Sequence, residues 1–186
     1  KYPLLICLDG QDYAEYGNFN FVLDNLMYQH EMMPTIVVQV NSPDRFKEFA
    51  ANPMFSTFVH SELIPHIEAR YRISQGSENR GIMGVGLGAV AALHTQWRHP
   101  DYFGKLLLQS GAFVFTDIGD HGRGEQWDPI VDFINSLRET PNQNGIIYLS
   151  CGVFDSLIYY NRTMAHLWEP TNIQLRYVES KDGHNW

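Results

Sequence analysis

The segment Gly84-Val85-Gly86-Leu87-Gly88 prepares a chemical site and omits its central reagent. It follows the apolar run Gly81-Ile82-Met83 and opens the helix-like stretch Ala89-Val90-Ala91-Ala92-Leu93-His94. That strand–turn–helix setting belongs to a nucleophile elbow, Gly-x-Ser-x-Gly, in which a sharp turn lifts a serine hydroxyl clear of the backbone. Here both flanking glycines are present, but the central residue, Gly86, has no side chain. Glycine relieves the strained backbone that such a turn imposes, worth ~1–3 kcal/mol. It also removes the attacking oxygen, a loss of about 10⁶ in turnover for a triad hydrolase.

The partners such a nucleophile needs follow it in the expected chain order of acid, then histidine. Ser150-Cys151-Gly152-Val153-Phe154-Asp155 ends an apolar run and places an acid on the next loop. Glu179-Ser180-Lys181-Asp182-Gly183-His184 does the same for a histidine after the last run. Each has a plainer alternative. Asp155 also suits a helix N-cap ahead of 156–168, and His184 suits a loop cap. An oxyanion hole needs two backbone N–H donors aimed at one point. Leu87, just past the elbow, is one candidate. The other is Gln11, in Leu8-Asp9-Gly10-Gln11, where Gly10 permits close backbone approach and Asp9 is expected to anchor the loop. Ser110 lacks an elbow context, and Ser150 and Cys151 are expected to be buried.

Six short apolar runs are predicted to be the strands that position these groups: 3–8, 35–40, 81–85, 105–109, 145–150 and 174–178. Most are continuous rather than alternating, as in parallel strands covered on both faces. Helical periodicity runs through 19–30, 56–71, 87–98, 128–139 and 155–168. Strand alternating with helix predicts a doubly wound, mostly parallel α/β sheet with helices on both faces, in a single domain spanning 1–186. The stretch 111–126 has no periodicity and reads as a surface loop over the sheet edge. The chain enters a strand at once and stops just after His184-Asn185-Trp186, so truncation at both ends and a further domain outside it are expected.

The composition excludes some partners. A formal charge of −8 argues against nucleic acid or an anionic membrane surface. No apolar stretch approaches the ~20 residues that span a bilayer. Compartment stays open. Cys7 and Cys151 sit in strand-like runs and are expected to be inert core thiols. The histidines at 30, 60, 66, 94, 99, 121 and 166 show no metal spacing and are expected at the surface or as caps. His121, in the long loop, is the candidate for lining a substrate mouth. Tyr13, Tyr16, Phe113, Phe115 and Trp127 flank the presumed site loops, either to stack on an aromatic acyl group or to pack half-buried. Asn161-Arg162-Thr163 matches a glycosylation triplet but lies on an expected helix, and carries no weight here.

Taken together, several segments resemble the Putative esterase family of α/β-hydrolases, whose members include enterochelin esterases, esterase D, feruloyl esterases and mycolyltransferases. They are Leu8-Asp9-Gly10-Gln11-Asp12, Gly84-x-x-x-Gly88, Cys151-Gly152-x-x-Asp155 with Asn161-Arg162, and Gly183-His184-Asn185-Trp186. His99-Pro100-Asp101-Tyr102-Phe103-Gly104 and Gln109-Ser110-Gly111 also resemble that family's stretch after the elbow helix. The likeness covers nearly the whole chain and is greatest to the enterochelin-esterase-like branch. It implies an α/β-hydrolase fold and cleavage of esters of aromatic or siderophore acids without a cofactor or metal. By matching positions it implies Asp155 as acid, His184 as general base and Gly86 as the emptied nucleophile position. Three functions are therefore open: a domain that binds a small ester or aromatic acid without turnover, a carboxylic ester hydrolase carrying an inactivating Ser-to-Gly change, or a structural or interaction domain.

Overall fold

A computed structural model describes residues 1–141 and 144–184. Its strands are β1 (Leu4–Leu8), β2 (Ile36–Val40), β3 (Arg80–Val85), β4 (Lys105–Gln109), β5 (Ile146–Gly152) and β6 (Gln174–Ser180). They form one sheet in the order β2-β1-β3-β4-β5-β6, with every pairing parallel. All six expected strands are present, and their bounds shift by no more than two residues. The fold is α/β, with the chain winding outward first to β2 and then, from β3, to β6.

That winding creates a switch point between β1 and β3, neighbours in register from Leu4 opposite Arg80 to Cys7 opposite Met83. Loops leaving the carboxyl ends of two such strands diverge and leave a crevice. The loop after β1 holds Asp9 and Gly10; the turn after β3 holds Gly86.

The helices are α1 (Gly10–Tyr16), α2 (Phe19–Tyr28), α3 (Arg45–Phe49), α4 (Pro53–Phe58), α5 (Ile64–Glu68), α6 (Leu87–Arg98), α7 (Asp128–Glu139) and α8 (Ile158–Trp168). They cover the two faces unequally. The larger core joins Leu4, Ile6, Leu8, Ile82, Leu108 and Leu149 of the sheet to residues such as Phe49, Leu93, Ile134 and Trp168 from α3 to α8. On the other face, Cys7, Tyr13, Met83 and Val85 form a small cluster with Phe19, from α1 and α2. No described helix is long and apolar enough to cross a membrane.

Several local expectations are corrected. Two short helices, α1 and α3, add to the expected set; at 7 and 5 residues they are too short to show a period in the sequence. The helix expected over 56–71 begins at Asn52, whose side chain caps the Met54 N–H. It widens into a π-turn at Val59–Leu63, one residue short of Pro65, which has no N–H to donate. The stretch 111–126 is not wholly a surface loop, since Ala112, Phe113, Val114 and Phe115 are buried. His94 is buried rather than superficial: Nδ1 lies 2.8 Å from the Ser56 hydroxyl, and the ring meets Phe133 edge-on. Cys7 and Cys151 are free and buried, and burial is the main cause pushing their thiols up to about 12 and about 11.

Candidate active site

Gly86 adopts φ 56°, ψ −115°, between the end of β3 and the start of α6. That backbone is expensive for any residue with a Cβ. The turn is held from three sides. The Gly86 N–H donates to the Gln109 carbonyl at 3.0 Å, and the Gly86 carbonyl accepts from Val90 and Ala112 at 3.3 and 3.1 Å. The flanking glycines are steric necessities. A Cβ on Gly84 would stand 2.4 Å from the Gly88 carbonyl carbon, and one on Gly88 would stand 2.7 Å from Asp9 Oδ2. A Cβ on Gly86 meets no such obstacle. Its nearest neighbours would be His184 Nε2 at 3.7 Å, His184 Cε1 at 3.8 Å and Arg45 Nη2 at 3.9 Å.

The imidazole is aimed by Asp155. Its two carboxylate oxygens divide their work: Oδ1 accepts the Leu157 N–H at 2.8 Å, and Oδ2 lies 2.8 Å from His184 Nδ1. The expected histidine contact is present, but the expected N-cap is not: α8 begins at Ile158 with Leu157 as its cap residue, and Asp155 instead closes a local turn onto the Leu157 N–H. Asp155 has a fully buried side chain, whereas that of His184 is half exposed. Burial raises the carboxyl's proton affinity, but the bonds from Leu157, Ser110 and His184 outweigh it and hold the group below its ordinary range. An ionised acid on Nδ1 favours the tautomer that leaves Nε2 free as a base toward Gly86. The loop carrying His184 comes back over β5 because residue 152 is glycine. A Cβ there would sit 2.3 Å from the carbonyl oxygens of Asp182 and Gly183. Val153 and Phe154 fasten the loop, donating to Ser180 and Asp182 carbonyls at 2.9 and 3.0 Å.

Arg45, at the start of α3, is a site residue that sequence inspection missed. Its Nη2 donates to Asp9 Oδ2 at 2.8 Å while the same nitrogen faces Gly86. Asp9 is nearly buried, and burial raises its proton affinity against the opposing pull of Arg45. Asp9 thus anchors the β1 loop, as expected, through a partner 36 residues away that no local pattern announces.

The other sequence candidates divide. Leu87 opens α6, where a first-turn N–H has no intrahelical acceptor. The Gln11 N–H is engaged by Asn41 Oδ1 at 2.8 Å, so it is not a free donor here. Tyr13 is buried and its hydroxyl donates to Gln109 Oε1. Phe113 is wholly inside the core, so the structure gives it packing rather than a ligand face. His121 Nε2 lies 2.9 Å from Asp128 Oδ1, an ion-pair geometry within the loop-to-α7 junction. Ser110 packs against Cys151. Asn161 is buried and pins the following loop through paired bonds to the Gly111 carbonyl and N–H at 2.9 and 3.0 Å. Asn185 and Trp186 of the terminal motif lie outside the described residues. Among the described residues no group of three or more His, Cys, Asp or Glu could hold a metal ion.

The family described as Putative esterase matches residues 1–183 of the chain. The iron(III) enterobactin esterase of Escherichia coli (strain K12) is 28% identical over 125 residues, covering 66% of this chain and 31% of that protein. Among solved structures, the enterobactin esterase of Shigella flexneri, determined in the presence of enterobactin, superposes with a TM-score of 0.83 at 22% identity. It covers 99% of this chain and 47% of that one. A ferulic acid esterase superposes with a TM-score of 0.81 at 21% identity, covering 100% of this chain and 79% of that one. The chain thus spans less than half the length of the enterobactin esterases it matches.

Proposed function

This chain belongs to the Putative esterase family, and from that premise we propose that it binds a small ester or aromatic acid at the elbow without turning it over. The structures it resembles include an enterobactin esterase determined in the presence of enterobactin and a ferulic acid esterase, which supports a small ester or acid as the ligand. One observation carries the proposal. The open space at Gly86 faces His184 Nε2 at 3.7 Å while Asp155 still holds Nδ1 at 2.8 Å, so the surroundings of a nucleophile are in place and its oxygen is not. Without that oxygen no acyl-enzyme forms, and what remains is an imidazole, a guanidinium and the start of a helix meeting at one turn.

The test is p-nitrophenyl acetate turnover by the unaltered protein beside His184→Ala, with aromatic acids and esters titrated against the His184 ring resonances. Ligand-dependent shifts and no saturable release of p-nitrophenol are expected. Saturable hydrolysis that disappears in His184→Ala refutes the proposal.

The same retained geometry favours a second reading, that of a carboxylic ester hydrolase stopped by a single Ser-to-Gly change. It differs in giving the unaltered protein no binding role of its own.

A further inference from the structure

Two nitrogens define the space before Gly86. A Cβ point built there lies 3.7 Å from His184 Nε2 and 3.9 Å from Arg45 Nη2, so an oxygen displaced about 1 Å toward either falls within hydrogen-bond range. The acids of the site stand behind these two groups. Asp155 occupies Nδ1, the far side of the imidazole, and Asp9 accepts from the guanidinium. Arg45 Nη2 donates to Asp9 Oδ2 at 2.8 Å and, more weakly, to the Val85 carbonyl at 3.4 Å, and it is this second, long bond that an oxygen before Gly86 would replace. The Leu87 N–H, opening the twelve-residue α6, adds a third donor at the same turn.

Resting on the binding role above, we propose that the elbow takes the free carboxylate of a small acid in preference to the corresponding ester. One carboxylate oxygen bonds Arg45 Nη2 and the other bonds protonated His184 Nε2, in the space that glycine leaves open at position 86. A carboxylate accepts at both oxygens and gains charge assistance from both cations. An ester brings neither the charge nor the second strong acceptor. A serine would fill this space with its own hydroxyl, so glycine is the residue that admits the ligand. Because Nε2 must donate, binding takes up a proton at His184. The charged groups facing this space are Asp155, on Nδ1, and Arg45, itself paired with Asp9, while Lys181 and Asp182 belong to the histidine's own loop.

Benzoate and methyl benzoate, titrated separately into the full chain at pH 6 and pH 8 while the His184 ring is followed by NMR, test this. Benzoate should bind at least about fivefold more tightly at pH 6 than at pH 8, and methyl benzoate at least about tenfold more weakly than benzoate at pH 6. Arg45→Gln should weaken benzoate at least about tenfold. Since Arg45 also holds Asp9, Gly86→Ala provides a second variant that keeps both donors and occupies the space with a methyl group; it should weaken benzoate similarly. Methyl benzoate binding as tightly as benzoate, or benzoate affinity unchanged in Gly86→Ala, overturns the carboxylate assignment while leaving the non-hydrolytic role standing. That role fails separately, by ester turnover in the unaltered protein.

Discussion

Gly86→Ser is the perturbation whose outcome the geometry specifies most fully. The new Cβ would meet side-chain atoms at 3.7–3.9 Å, ordinary contact distances, so no backbone has to move. The cost is conformational, because a residue with a Cβ must hold φ 56°, at ~1–3 kcal/mol. The gain is an oxygen beside a base already oriented by an ionised acid. A nucleophile in an intact triad accounts for about 10⁶ in turnover. One oxyanion donor, the Gln11 N–H, is engaged by Asn41, and lack of one such donor costs about 10²–10³. The variant should therefore hydrolyse p-nitrophenyl acetate about 10³–10⁴ times faster than the unaltered protein. The activity should return to the parent's level on adding either His184→Ala or Asp155→Asn, since loss of the oriented acid alone costs about 10⁴. Initial rates at pH 8 with matched circular dichroism spectra measure this. A folded Gly86→Ser protein as inert as its parent would show that proximity of His184 to the elbow does not amount to a competent base, and the reasoning from the 3.7 Å approach would fall.

In the Gly86→Ser background, Asn41→Ala frees the Gln11 N–H and should raise kcat by up to about 10²; no rise excludes Gln11 as an oxyanion donor. Gly84→Ala drives a methyl group into the Gly88 backbone at 2.4 Å, so it should lower stability by more than about 3 kcal/mol or prevent soluble expression, as read by a denaturation midpoint. His94 gives acid sensitivity of definite sign. Burial, aided by Arg98 and His99, pushes it from 6.5 down to about 4, so the unfolded chain takes a proton there before the folded one does. Stability from this group is complete above pH 6.5 and is lost as pH falls toward 4, by about 3 kcal/mol in all. His94→Gln should flatten the slope of Tm against pH over that interval, and an unchanged slope would assign the acid lability elsewhere.

Some of this protein is written in short stretches of its chain. Most of the apolar runs are continuous, as in parallel strands, and their alternation with helical periods pointed to a parallel sheet. The glycines at 84 and 88 marked the elbow because contact between strand and helix leaves no room there for a side chain. The order of elbow, Asp155 and His184 along the chain placed three groups after β3, β5 and β6, all at the carboxyl edge of the parallel sheet. Other features depend on pairings that no window of sequence contains. Arg45 reaches the elbow from a five-residue helix too short to carry a period, and only its bond to Asp9 reveals its place. Asn41 takes up the Gln11 N–H from 30 residues away. Phe113 is pulled inside with the buried segment that Asn161 fastens at Gly111, and His94 is enclosed between Ser56 and Phe133. Backbone propensity and hydrophobic period act over a turn or a strand and are legible there. Which donor meets which acceptor across the crevice is set by the packing of α3 and the β1 loop against one sheet, and that exists only in the folded chain.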